Sequence, residues 1–464
     1  DGPSLTGVDE VALFSINDEP RTLKDAKERQ DCSLWKAAMD EEIEALNKNK
    51  TWILVNRPIN KKAIKNKWVF KVKLQPNGEV ERYKARLVAK GFTQIANIDY
   101  KETYAPVASM NTVRMFLAIA NQHDMQIVQF DIKTAFLYGD LDEELIMEQP
   151  EGYVKDQSKV CKLIKSLYGL KQAPRQWNRK FDSFLKLFKL QQASIDKCLY
   201  FSEDRTLLLA IYVDDGLAAG TNRKQLDNLI SYLKANFELK VMDCESYLGF
   251  KVARNRSEKT LNISQGLYVD RMLSRFGMSD CNPIDTPEQV GAKFTESPEL
   301  PTDNQFKELV GSLLYLATCT RPDISHAVSL ASRTSKPTQA HWLALKRILR
   351  YLKGTRDLGI CFRLEYPAKL VGFSDADYAN DEETRKSTTG FCIFYGAAPI
   401  AWRCQRQPII TLSTTEAEYV AGCELVKELL PIREQLIELG ELKEAEPTTV
   451  LIDNQSTVRI ATNE

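Results

Sequence analysis

Ile211-Tyr212-Val213-Asp214-Asp215-Gly216 ends an apolar run that begins at Leu207. Such a run reads as a buried strand, Leu207–Val213, with an aspartate pair at its tip. Successive side chains of a strand point to opposite faces, so Asp214 and Asp215 cannot both point inward and at least one faces a cleft. Two like charges at a buried strand end are costly unless a cation sits between them. Hard Mg²⁺ prefers carboxylate oxygens. Asp-Asp-Gly is equally at home in a β-turn, so the tripeptide alone leaves the two readings level. A second run with the same ending shifts the balance: Gln126-Ile127-Val128-Gln129-Phe130-Asp131, with Val128 and Phe130 on one face and Phe136 five residues past Asp131. Two strand ends that bring three carboxylates together suit a two-metal site for in-line phosphoryl displacement, its ions about 3.5–4 Å apart.

The chain around these strands reads as α+β. Residues 1–30 are polar and aperiodic, a loose lead-in. Trp35–Leu46 has apolar residues at helical spacing. Trp68–Leu74 and Val80–Val88, joined through Gln75-Pro76-Asn77-Gly78, form a hairpin. Its second strand carries Arg82, Lys84 and Arg86 on one face, an arrangement that can receive a triphosphate or template phosphate. Thr112–Gln122 is a helix that leads into the Asp131 strand, and Lys133–Tyr138 turns away from it. Ser166–Trp177 offers Lys171, Gln172 and Arg175 to a ligand, although a plain loop-to-helix junction explains it equally well. Gln176–Leu190 is an amphipathic helix, followed by the strands Leu199–Phe201 and Leu207–Val213. Strand, helix, strand, strand is the core of a split βαβ unit. Beyond it come a helix (Gln225–Phe237), a strand (Ser246–Val252), a helix (Leu267–Phe276), a Pro-rich acidic linker (Pro283–Pro301) and helices over Lys307–Thr318 and His341–Lys353.

From Leu370 the composition shifts. Leu370–Asp375 is a further apolar strand carrying Asp375. Thr389–Tyr395 and Pro399–Arg403 read as strands. Ser413 starts a helix with Glu416 at the capping-box position, and Pro431 should kink or restart it. Val450–Asp453 is a strand ending in Asp453. Asp375, Glu416 and Asp453 make a second carboxylate cluster, with a purely capping role for Glu416 as the alternative.

The 464 residues allow two to four domains. Both ends, Asp1-Gly-Pro-Ser4 and Ile460–Glu464, read as cut from something longer. No run of about 18 apolar residues suggests a membrane span. Ten cysteines without a CxxC pair, and three histidines, argue against zinc and fit buried thiols in a reducing compartment. Lys+Arg and Asp+Glu both number 63, so the net charge is zero. The distribution is uneven: thirteen Lys/Arg between Lys48 and Lys90 face only Glu79 and Glu81, and seven basic residues between Arg333 and Arg356 face no acid. Such stripes suit a phosphate backbone; solvated charged faces are the plainer reading.

Taken together, Arg82-Tyr-Lys-Ala-Arg-Leu-Val-Ala-Lys-Gly91, Phe130-Asp-Ile-Lys-Thr-Ala-Phe136, Leu167-Tyr-Gly-Leu-Lys-Gln-Ala-Pro-Arg175, Tyr212-Val-Asp-Asp215, Tyr315–Asp323, Ser374-Asp-Ala-Asp-Tyr378, Leu412-Ser-Thr-Thr-Glu-Ala-Glu418 and Asp453-Asn-Gln-Ser456 resemble the reverse transcriptase–RNase H region of a copia-type (Pseudoviridae) LTR retrotransposon Pol polyprotein, in that family's order and over residues 31–464. The resemblance implies a right-hand polymerase with fingers, ferredoxin-like palm, thumb and connection, followed by an RNase H-like α/β domain incomplete at its C-terminus. The expected division is 1–30 lead-in, 31–248 fingers and palm, 249–300 thumb and linker, 301–366 connection, and 367–464 RNase H-like domain. It implies Asp131, Asp214 and Asp215 as polymerase metal ligands, two Mg²⁺ ions there (or Mn²⁺), and Phe136 as the ring that excludes a ribose 2′-OH. Lys84 and Arg86 would meet the triphosphate, one or the other, and Gln172 the nucleotide and template. Glu245–Phe250, with Tyr247, Leu248 and Gly249, resembles the primer grip, and the basic helix adds Lys346, Arg347 and Arg350 as nucleic-acid contacts. Asp375, Glu416 and Asp453 match three RNase H carboxylates. The family's His-containing loop and fourth Asp fall outside this sequence, so weak RNA cleavage is expected of it.

The implied partners are an RNA template, a DNA or RNA primer (a tRNA among the candidates), an RNA/DNA hybrid and dNTPs. No membrane is implied; integrase and protease would lie elsewhere in the same polyprotein. A homodimer stays open, as does nuclear entry from a cytoplasmic, virus-like-particle setting. Two other readings stand beside the polymerase: a decayed or host-adopted remnant that only binds nucleic acid, and a different two-metal nucleotidyl polymerase, against which Phe136 and the second cluster speak.

Overall fold

The helix Met110–Gln122 is the hub of the molecule. Ser109 caps it, its hydroxyl accepting from the Thr112 amide at 3.0 Å. Every residue from Thr112 to Asn121 is buried, as befits a helix that is apolar nearly all round. It packs against the central sheet, the strands Thr260–Ser264 and Gly359–Arg363, and the strand Ala398–Arg406. The computed structural model describes residues 19–463 except 60, 75–79, 290, 292–293, 295–296, 301–303 and 382. The expected hairpin loop Gln75–Gly78 lies outside the described residues, as do residues 1–18 of the expected lead-in.

The central sheet has six strands in the order Leu239–Asp243, Gln126–Ile132, Asp215–Gly220, Leu207–Tyr212, Leu199–Phe201, Gln191–Gln192, each antiparallel to its neighbour. Taken in chain order, the strands starting at Gln126, Leu207, Asp215 and Leu239 stand 4-1-3-2 across the sheet. The helices Ala173–Leu187 and Arg223–Asn236 make the crossovers, which is the split βαβ arrangement. The Asp131 and Leu207 strands are thereby parallel, with the Asp215 strand inserted between them.

The cationic hairpin Asn66–Leu74 with Val80–Ala89 stands apart as a two-stranded sheet. Phe70, Val72, Ala85 and Leu87 are buried on one face against the helix Cys32–Lys48, whose Trp35 meets Phe70 at 5.3 Å and Tyr83 at 4.6 Å. Period-two alternation then leaves Arg82, Lys84 and Arg86 on the other face. The lead-in is less loose than its composition suggests. Leu23–Glu28 is a helix capped by Thr22, and Glu19 accepts from the Val72 amide and the Lys71 ammonium at 3.0 and 2.9 Å.

One core joins Tyr268–Leu273 with Phe306–Leu352, so it runs across the expected boundary at residue 300. The strand Gly359–Arg363 likewise pairs with Thr260–Ser264 from the other side of that boundary. Last comes a four-stranded sheet, Ala398–Arg406, Thr388–Tyr395, Leu370–Asp377, Thr449–Ile452, its last pair parallel. The helix Thr414–Glu438 lies across it and passes Pro431 as a single element. The expected restart is absent: Leu429, Ile432 and Leu436 on either side of the proline are buried, and packing outweighs the lost backbone bond. Among the described residues no helix is long and apolar enough to cross a membrane.

Candidate active site

Asp131 and Asp215 are direct register partners on neighbouring antiparallel strands, so their side chains leave the sheet on the same face. Asp214 does not continue the strand. The strand ends at Tyr212, Val213 and Asp214 form a two-residue turn, and Asp215 opens the return strand against Tyr212. The turn and the carboxylate site are thus one object. Among the described residues only two β-branched side chains have φ in the left-handed region, Thr134 at 53° and Val213 at 59°. Thr134 lies two residues past the end of the Asp131 strand, and Val213 lies two residues before Asp215 opens its own. Such backbone is strained and persists only when its surroundings hold it. Here they do: the Trp177 indole donates to the Val213 carbonyl at 2.6 Å, the Ile132 amide to the Asp214 carbonyl at 2.9 Å, and the Tyr247 hydroxyl reaches the Asp215 carbonyl at 3.5 Å. Gly216 completes the motif because a Cβ there would lie 2.1 Å from the Phe130 ring.

On the cationic hairpin, burial and then the Arg86 and Arg82 charges push the Lys84 ammonium down to about 8, while the Asp131 carboxylate acts in the opposite sense. The Arg86 guanidinium lies over the Tyr168 ring at 4.9 Å, and that ring meets Phe136 edge-to-face at 4.7 Å. Phe136 sits in the short helix Ala135–Tyr138 that follows Thr134. Gln172 departs from the expectation of a ligand contact. It is buried, accepts from Gln94 Nε2 at 3.0 Å and donates to the Asp99 carbonyl and the Glu143 carboxylate at 2.8 and 3.2 Å. With both polar atoms spent inside the protein it holds the loop in place, while Tyr168, four residues earlier, is the side chain of this segment that meets Arg86 and Phe136.

The segment expected as a strand over Ser246–Val252 is a tight hairpin. Tyr247 is buried, and Leu248 and Gly249 both have positive φ, 42° and 80°, the requirement of a type I′ turn. The Tyr315 hydroxyl holds the Leu248 carbonyl at 2.9 Å. The basic helix Gln339–Gly354 is engaged with its own chain. Arg347 donates to Thr286, Arg350 to the Asn282 carbonyl and Lys353 to the Ser279 carbonyl at 2.8, 2.8 and 2.6 Å, and Lys346 lies 5.4 Å over the Trp342 ring. Arg347, Arg350 and Lys353 fasten the 279–286 segment, so a role on nucleic acid must compete with those bonds. Arg57, Lys61 and Lys71 of the first stripe also have acidic partners.

The second cluster forms with one substitution of membership. Asp375, Glu418 and Asp453 each place a carboxylate oxygen within 4.8 Å of the others. Glu416 is not among them. Its carboxylate accepts from the Leu412 amide at 2.6 Å while its own amide donates to Ser413 Oγ at 3.1 Å, so it secures the helix start. Glu418 falls in the buried stripe with Ala421, Leu425 and Leu429, and that i, i+3, i+7, i+11 spacing in the sequence would have singled it out. It is 6% exposed, and its Oε2 has no protein partner among the described residues. Burial, with Asp375 and Asp453 adding to it against a bond from the Ala376 backbone, raises its carboxyl to about 7. A buried carboxylate with an unspent oxygen beside two more acids fits a hard divalent cation. A cleft of about 680 Å³ opens beside Asp375 and Asp453, lined also by Phe373, His326, Trp402 and Arg403.

Residues 49–290 match the family described as reverse transcriptase (RNA-dependent DNA polymerase). The chain is 42% identical over 98% of its length to the retrovirus-related Pol polyprotein from transposon TNT 1-94 of Nicotiana tabacum, and 37% identical over 97% to that from transposon RE2 of Arabidopsis thaliana. It spans about a third of these relatives, 35% and 31% of their lengths. Among solved structures it is similar to the foamy viral protease–reverse transcriptase in complex with dsDNA, at 12% identity and a TM-score of 0.48, covering 92% of this chain and 80% of that one. With the match extending over more than half of its residues, the chain belongs to the reverse transcriptase (RNA-dependent DNA polymerase) family, with copia-type retrotransposon Pol polyproteins as its relatives.

Proposed function

We propose that this chain extends the 3′-OH of a primer with dNTPs on an RNA template, and that residues 370–463 form an RNase H-like unit acting on the RNA/DNA hybrid. One observation carries the polymerase reading: Asp131 and Asp215 face each other across one sheet ladder, with Asp214 in the adjoining turn. In this reading the central sheet is the palm, the 66–89 hairpin belongs to the fingers, and the 246–250 hairpin is the primer grip. Asp131, Asp214 and Asp215 would hold two Mg²⁺ or Mn²⁺ ions. Bound there, divalent cations supply charge that stabilises the attacking and leaving oxygens of phosphoryl transfer. Lys84 and Arg86 bring positive charge to the triphosphate. Phe136 closes the sugar side, so ribose is refused by contact and not by a lost hydrogen bond. Asp375, Glu418 and Asp453 are the ligands of the RNase H-like unit.

Primer extension on an RNA template with dNTPs and Mg²⁺ is the test, with Phe136→Val run in parallel. The parent extends, and Phe136→Val admits ribonucleotides that the parent refuses. A parent chain that binds the primer–template and adds no nucleotide refutes the polymerase reading.

A further inference from the structure

The segment Ser166–Gly169 is stitched to both walls of the proposed nucleotide site. Toward Phe136, the Ser166 hydroxyl donates to the Phe136 carbonyl and the Ser166 amide to the Gly139 carbonyl at 2.8 Å. Toward the cationic strand, the Ala89 amide donates to the Tyr168 carbonyl at 2.8 Å. The backbones there run so close that a Cβ on Gly169, which has φ +89°, would lie 2.2 Å from the Ala89 carbonyl oxygen. Side chains repeat the link, with Tyr168 between Arg86 at 4.9 Å and Phe136 at 4.7 Å. A guanidinium over its face and an edge-to-face contact with Phe136 together define the position of the ring.

Resting on the polymerase reading, we infer that Tyr168 is a specificity-determining residue that holds the sugar-side ring of Phe136 in register with the phosphate-side charge of Arg86. Phe136 can exclude a 2′-OH only if it cannot give way. It lies in a four-residue helix entered through the strained Thr134, and such a short helix has little stiffness of its own. The Tyr168 ring supplies the lateral support. It also ties that support to Arg86, so a triphosphate engaging Arg86 finds the sugar wall already placed. The contact needs the aromatic face and not the phenol hydroxyl.

Incorporation of dATP and ATP opposite uridine, at saturating primer–template, reads this directly. Tyr168→Leu should lower the dATP-over-ATP ratio of kcat/KM by about tenfold, the size of one aromatic pair. The change should lie mainly in KM, with kcat for dATP within about threefold, because a positioning residue leaves the reacting atoms in place. Tyr168→Phe should keep the parent ratio. Arg86→Lys keeps the charge but loses the flat stack; it should lower the ratio as well, and it supplies the reading if Tyr168→Leu does not fold. An unchanged ratio in Tyr168→Leu or Arg86→Lys, with the parent extending normally, overturns this inference alone. A parent that extends no primer overturns the polymerase reading and this inference together.

Discussion

Asp131 and Asp215 stand opposite one another on adjacent antiparallel strands, a placement that sets two like charges side by side on one face. Unless neutralised, such a pair is a fault in the sheet. Replacing either by Asn should therefore leave thermal stability unchanged or raise it, while primer extension falls by at least about a hundredfold, as expected when charge stabilisation worth several kcal/mol is lost. Thermal melts with extension rates check both halves. Asp215→Asn extending at the parental rate would contradict the assignment.

The turn between them makes a separate prediction. Val213 holds φ at 59°, a conformation that costs a β-branched residue about 1–3 kcal/mol and costs glycine almost nothing. Val213→Gly relieves that strain but gives the unfolded chain more freedom, which returns about 0.5–1 kcal/mol. The melting temperature should stay level or rise. Extension should fall, because Asp214 then depends on the Trp177 and Ile132 bonds alone for its position. A variant both less stable and fully active would show that the backbone there is not strained.

The Asp131 strand, the Leu207 strand and the helices beside them were legible because their apolar spacing is local, whereas the return strand Asp215–Gly220, which Asp215 opens, and its sheet neighbour Leu239–Asp243 were not read. The turn at Val213-Asp214 was not legible: nothing in a valine announces positive φ, which three hydrogen bonds from Ile132, Trp177 and Tyr247 impose from outside. Gln172 misled for a related reason, since a polar side chain on a loop looks available until Gln94, Asp99 and Glu143 consume it. The docking of Glu19 on Val72 was invisible because its partner lies 53 residues away. Glu418 was legible in principle from its place in the buried stripe; the capping pattern at Ser413 drew attention to Glu416 instead.

Those two glutamates are separable by experiment. Glu418→Gln should weaken Mn²⁺ binding to the Asp375–Asp453 site by tenfold or more, since it removes a charged ligand worth about 1.4 kcal/mol or more. Glu416→Gln should leave that affinity within about twofold and at most cost about 0.5–1 kcal/mol of stability through the weakened helix start. Titration calorimetry of each variant distinguishes them. Loss of binding in Glu416→Gln with Glu418→Gln unaffected would restore Glu416 as the ligand.

The end of the hub helix carries a pH-dependent link to the last unit. His123 Nε2 lies 2.8 Å from Glu441 Oε1, and Glu441 Oε2 accepts from the Tyr395 hydroxyl at 2.6 Å. The Glu441 bond and charge raise the His123 pKa above its ordinary 6.5 against an opposing burial effect, and its place at a helix C-terminus favours the charged form too. A folded-state pKa above the unfolded one means that the link contributes fully below pH 6.5 and is lost as pH rises through the raised value. His123 is about half exposed, so solvent screening limits the contribution to roughly 1 kcal/mol at most. His123→Gln should therefore melt below the parent at pH 6, and the gap should shrink as the pH is taken to 9. Glu441→Gln should do the same, and the double variant should add little to either, because both remove one interaction. A stability gap of equal size at both pH values would mean that the imidazole contributes packing there and that its charge does not act.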